Sequence, residues 1–157
     1  MDDRELLIDG YVRGSDDLKT SLISMTSRDI RARPIPGKWS THEVICHLAD
    51  FELISAERIK RVIAEDRPTL FNAEPEPFAT NLAYEVRDFE QELLLVATIR
   101  RHVAAILRGL SPEQWGRIGN HSTDGPLTVT QLVKRITNHI PHHLRFIEEK
   151  QVAMRRS

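Results

Sequence analysis

The chain has 157 residues, 40% of them hydrophobic and 29% charged, with a formal net charge of −1; that is the make-up of one soluble globular domain with its own core. No Lys/Arg block marks a nucleic-acid surface, no apolar run reaches membrane-spanning length, and the acidic start Met1-Asp2-Asp3-Arg4-Glu5 is unlike a secretory signal. Cys46 is the only cysteine, which excludes an internal disulfide and fits a cytoplasmic setting, so a single domain over 1–157 is expected.

Apolar residues recur at spacings of three and four in four windows, the mark of amphipathic helices. The first runs through Leu7, Tyr11, Leu18, Leu22 and Met25, with Gly14-Ser15 as a weak point. Arg33-Pro34-Ile35-Pro36-Gly37 breaks the pattern. Val44, Leu48, Phe51, Ser55, Ile59 and Val62 make the second, and Pro68, Pro75 and Pro77 mark a long connection after it. A third window holds Phe89, Leu93, Val96, Val103, Leu107 and Leu110; Gly and Pro then cluster from Gly109 to Pro126. Leu132, Val133, Ile136, Ile140, Leu144 and Ile147 complete the set. Strand alternation is absent from the sequence pattern, so the expected fold is all-α, a four-helix bundle.

Two of these helices have sharp start signals. Ser40-Thr41-His42-Glu43 reads as a capping box with Trp39 and Val44 as a hydrophobic staple, and Thr128-Val129-Thr130-Gln131 repeats it with Leu127 and Leu132. These are also the helices that carry the chemistry. His139 and His143, four apart, share one helix face. At 100° per residue, His143 lies about 20° from Ile136 and His139 about 60°, while His47 lies about 40° from Phe51. All three therefore point into the bundle. A buried imidazole costs about 1–3 kcal/mol unless its nitrogens find partners, and three together are an expensive core. A metal resolves this by taking one nitrogen of each, and three protein ligands with an open position describe a catalytic site.

The other candidates are weaker. Glu43 and Asp50 can share the His47 side of the helix, either orienting an imidazole or acting as base, or else forming a solvated flank. His142 falls about 120° from Ile136, which suits a rim residue touching substrate or thiol. His121 sits in a Gly-rich loop, either as a turn residue or reaching over the site's mouth. His42 and His102 are expected in solvent, and Cys46 as a small buried hydrophobe. His42-Glu43-Val44-Ile45-Cys46-His47 is one residue too long for HExxH, placing its histidines about 140° apart. Pro141 stands between His139 and His143, where it either kinks the helix or starts a new segment.

Pro36-Gly37-Lys38-Trp39-Ser40, Glu43, His47-Leu48-Ala49-Asp50, Glu52 and the later His139-Ile140-Pro141-His142-His143-Leu144 together resemble the DinB-like (DinB/YfiT) family over nearly the whole chain. The resemblance implies a four-helix bundle in which His47, His139 and His143 bind a divalent metal, nickel, zinc or iron. It also implies homodimers, no nucleic-acid binding, and relatives that include thiol S-transferases using a low-molecular-weight thiol. The expectation is a metal-dependent enzyme acting on a small molecule, by thiol transfer or by hydrolysis. Against it stands a non-catalytic bundle that binds a metal, ligand or partner. The Pro68–Pro77 segment and the loop around His121 are where substrate-selecting residues are expected.

Overall fold

The computed structural model describes residues 3–156. In chain order the helices are α1 (Asp3–Ser21), α2 (Ser27–Arg31), α3 (Thr41–Ala64), α4 (Pro75–Asn81), α5 (Phe89–Arg108), α6 (Pro112–Trp115) and α7 (Val129–Arg155), with a 3-10 turn at Tyr84–Val86. Three short strands are β1 (Thr69–Leu70), β2 (Ile118–His121) and β3 (Gly125–Thr128). The long helices α1, α3, α5 and α7 form the bundle. Both α1 and α3 pack mainly on α5 and α7, so the first two long helices lie diagonally across the bundle instead of side by side.

Two departures from the sequence pattern have local causes. The first helix stops at Ser21, because Thr26 caps α2 with a reciprocal capping box and the chain turns ahead of it. Leu22 and Met25 still pack into the core from that turn. The strands are the second departure. Asn120 and His121 pair with Thr69 and Leu70 in parallel, while β2 and β3 form a hairpin with Asn120 opposite Pro126. Gly125 has φ +74, which lets the hairpin turn close. These strands come from pairing between distant segments, so period-two alternation is not needed to make them.

The core divides into two apolar clusters. One gathers Ile8, Ile59, Val103, Leu107, Val133 and Ile136; the other gathers Leu18, Val44, Leu48, Val96, Ile140 and Ile147. Between them lies a buried polar layer. Arg100 is fully buried and donates to Glu52 Oε2 at 3.0 Å, to the Tyr11 carbonyl at 2.7 Å and to the Ile136 carbonyl at 2.9 Å. Tyr11 Oη donates to Glu52 Oε1 at 2.6 Å. The layer thus ties all four long helices together. Gly14 is where α1 admits the guanidinium: a Cβ there collides with Arg100 Nη1, and the helix runs through Gly14-Ser15 unbroken.

Candidate metal centre

Helix α3 begins where Ser40 Oγ accepts from the Glu43 amide at 3.1 Å and Glu43 accepts from the Ser40 amide at 2.7 Å. In the same way, Thr128 Oγ1 accepts from the Gln131 amide at 3.1 Å and Gln131 accepts from the Thr128 amide at 2.8 Å to start α7. These caps set the phase of both helices, and with it the direction of His47, His139 and His143. Pro141 is exposed inside a continuous α7, so no new segment starts there and the i, i+4 relation of the two histidines is kept.

The three imidazoles meet. Their ring centroids stand 5.0, 4.8 and 4.8 Å apart, a nearly equilateral triangle. One ligating nitrogen from each lies within 4.8 Å of the others, and Nε2 of His47 is 3.1 Å from Nε2 of His139. Burial, reinforced by the neighbouring imidazoles, pulls His47 down to about 4 and His139 and His143 down to about 3. All three are therefore neutral at pH 7, the protonation state that a metal ligand requires. Nδ1 of each is buried without a hydrogen-bond partner in the protein.

Aromatic rings wall the triangle. Phe51 lies 4.4 Å from His47 and Trp39 5.3 Å, centroid to centroid, with Phe78 5.7 Å beyond Phe51 and Phe146 5.7 Å from His143. The sequence reading passed over this wall. Phe51 at i+4 from His47 and Phe146 at i+3 from His143 were legible from helical spacing; Phe78 arrives from α4, across the Pro-rich connection, and carries no local signal.

The remaining candidates fall elsewhere. Glu43 is occupied by its cap and by Arg33, 2.5 Å away. Asp50 is held by both Arg87 Nη atoms at 2.9 and 3.0 Å, and Arg87 also binds Glu92. Both carboxylates are thus on arginines, and neither hydrogen-bonds an imidazole of the triangle. His142 is exposed at the rim, its ring 5.1 Å from that of His143 and its Nδ1 2.9 Å from Arg145. His121 ends β2 and is buried; its Nδ1 accepts from the Thr123 and Asp124 amides at 3.4 Å, so its ring serves its own turn.

His42 corrects the expectation of a solvent-facing residue. It is 2% exposed, its Nε2 donating to the Arg87 carbonyl at 2.7 Å and its Nδ1 facing Arg31 at 3.3 Å. The segment leading into α5 covers that face of α3, which helix phase alone does not reveal. His102 is exposed as expected. Cys46 is buried with its Sγ toward the Tyr84 carbonyl at 3.6 Å, and burial pushes its thiol up to about 12. No helix among the described residues is long and apolar enough to cross a membrane.

Two proteins of Oceanobacillus iheyensis, each named "Putative metal-dependent hydrolase", are similar in sequence. One is 26% identical over 130 residues, 83% of this chain and 75% of the relative. The other is 25% identical over 116 residues, 71% of this chain and 64% of the relative. Among solved structures, YfiT from Bacillus subtilis, described as "a probable metal-dependent hydrolase with an unusual four-helix bundle topology", superposes with a TM-score of 0.89 at 22% identity, covering 98% of this chain and 90% of that one. A mycothiol-dependent maleylpyruvate isomerase shares the fold at TM-score 0.70 and 10% identity, over 90% of this chain and 59% of that one. The DinB superfamily model matches residues 11–147, and the chain belongs to that superfamily.

Proposed function

We propose that the protein is a metal-dependent hydrolase of a small molecule, with His47, His139 and His143 holding one divalent ion. The observation that carries this is the triangle itself: three neutral imidazoles, one buried and two half-buried, that converge on one point with no acidic partner among them. Two tetrahedral nitrogen ligands at about 2.0–2.1 Å stand about 3.3–3.4 Å apart; the His47 and His139 Nε2 atoms are 3.1 Å apart and all three ligand atoms lie within 4.8 Å of one another, close enough to share one ion after small adjustments. An all-imidazole donor set suits zinc, nickel or iron over the hard cations magnesium and calcium. When bound, such an ion acts as a Lewis acid and brings water's pKa toward neutrality.

The chain's own residues do the rest. Phe51 and Trp39 pack against His47 and Phe146 against His143, apolar neighbours that strengthen electrostatic interactions at that point. Arg87 pairs with Asp50, so the three candidate ligands are all neutral imidazoles. The names of the Oceanobacillus relatives support hydrolysis; thiol transfer is the alternative chemistry for the same site.

Metal analysis of untagged protein, purified without chelator, tests the proposal alongside His47→Ala and His143→Ala. A stoichiometric ion in the native protein, lost from both variants together with hydrolysis of a panel of chromogenic esters and amides, is the expected result. A native protein free of metal sinks it. Turnover that requires an added thiol moves the assignment to transfer.

A further inference from the structure

On α7, the stripe that carries His139 and His143 continues to a residue that does not belong in an apolar core. Lys150 is seven positions after His143, about 20° from it around the helix and about 10 Å along the axis. It is only 3% exposed. Its Nζ makes one hydrogen bond, to the Phe146 carbonyl at 3.1 Å. Glu149 and Glu43 are the acids that act on it, neither within ion-pair distance: Glu149 is exposed and Glu43 is already paired with Arg33. An ammonium carries three donors, and a buried charge without a counter-charge is costly unless something supplies one.

The place for that counter-charge is a cavity of about 260 Å³ that runs from His143 to Lys150, with Trp39, Val44 and Phe146 as its apolar walls. Four charged residues line it, Lys38, Glu76, Glu149 and Lys150, and only Lys150 is buried. At the rim Lys38 offsets one of the two carboxylates, and inside a single ammonium with one donor committed matches a single carboxylate.

We propose that Lys150 anchors the carboxylate of a small acid whose apolar body lies between Trp39 and Phe146 and whose reacting end points toward His143. This names the substrate class of the proposed hydrolase and rests on that reading only for the reacting end. The carboxylate belongs either to the hydrolysed molecule or to a thiol co-reactant; the anchoring chemistry is the same for both.

The full-length protein is titrated with 4-phenylbutanoate and with its neutral amide, following quenching of Trp39 fluorescence. Trp115, packed in the other core cluster, gives the background, and Trp39→Phe identifies the signal. The acid is expected to bind about tenfold or more tighter than the amide, the worth of a charge-assisted hydrogen bond. Lys150→Met and Lys150→Gln are expected to bring the ratio to about one by weakening the acid alone, while Lys150→Arg retains the preference. The same titrations repeated after chelator treatment exclude a carboxylate held by a bound ion. Equal binding of acid and amide by the native protein overturns the proposal whether or not the variants fold; so does a preference that survives Lys150→Met. With the preference established, competition by 3-sulfanylpropanoate but not by its S-methyl ether assigns the carboxylate to a thiol reactant, and equal competition assigns it to the hydrolysed molecule. Failure of the metal reading looks different: no stoichiometric ion, with the acid preference intact.

Discussion

Replacing Arg100 with Met removes the central member of the buried polar layer. Four hydrogen-bonding groups are affected: Glu52 Oε2, the carbonyls of Tyr11 and Ile136, and Tyr11 Oη through its shared carboxylate. Breaking one side of a buried ion pair costs about 3–5 kcal/mol because the other charge stays in the protein. For a domain of this length each kcal/mol moves the melting point by about 2–4 °C, so a fall of about 6–20 °C is expected. Burial already pushes the Glu52 carboxyl up and Arg100 pulls it back. Without the arginine, Glu52 takes up a proton, its folded pKa lying above the unfolded value of about 4.3. A group shifted in that sense is most favourable below its unfolded pKa and loses stability as pH rises. The deficit of Arg100→Met is therefore smaller at pH 5 than at pH 8. Thermal melts by circular dichroism at both pH values measure this, with the double variant Arg100→Met/Glu52→Leu as control. Removing both charges is expected to restore much of the loss. A single-variant shift below about 3 °C, or no gain in the double variant, refutes the reasoning, since either means the pair is solvated.

Other perturbations test other parts of the structure. In metal-free protein the three histidines of the triangle titrate at about 4, 3 and 3 against an unfolded value of about 6.5. The unfolded chain therefore binds more protons across that window. Stability is full above about pH 6.5 and falls as pH drops toward 4; urea midpoints that stay flat from pH 7 to 4.5 contradict this. Gly119→Ala places a Cβ 2.6 Å from Val62 Cγ2 and 3.0 Å from Leu70 Cδ1. Overpacking there should lower stability by about 1–3 kcal/mol, read by urea denaturation. Native Cys46 is expected to react with iodoacetamide only at the rate of unfolding, because it is buried and its thiol lies near 12; fast alkylation with unchanged circular dichroism counts against that placement.

What could be read before folding follows from helical periodicity. His139 and His143 share a face by spacing, and the phase of α3 turns His47 inward; both inferences need only 3.6 residues per turn. The capping boxes at Ser40 and Thr128 are local hydrogen-bond patterns, and they stand as read. The same logic failed for His42. It lies off the apolar stripe, but the segment before α5 covers it, and a helical wheel contains no information about a distant segment. It failed for the strands too, since β1 pairs with β2 across some fifty residues.

Sequence by itself determined the four long helices, the starting points of α3 and α7 and the inward aim of three histidines, because periodicity and capping act within a few residues of chain. Tertiary structure alone decided the diagonal placement of α1 and α3, the meeting of His47 with His139, and the removal of Glu43 and Asp50 onto arginines. It also decided that Phe78 joins Phe51 beside the triangle and that Lys150 is buried beside His143's cavity. Those outcomes depend on which helix faces which. That choice is made by filling two apolar clusters around the Arg100 layer, a collective balance that no local stretch of sequence encodes.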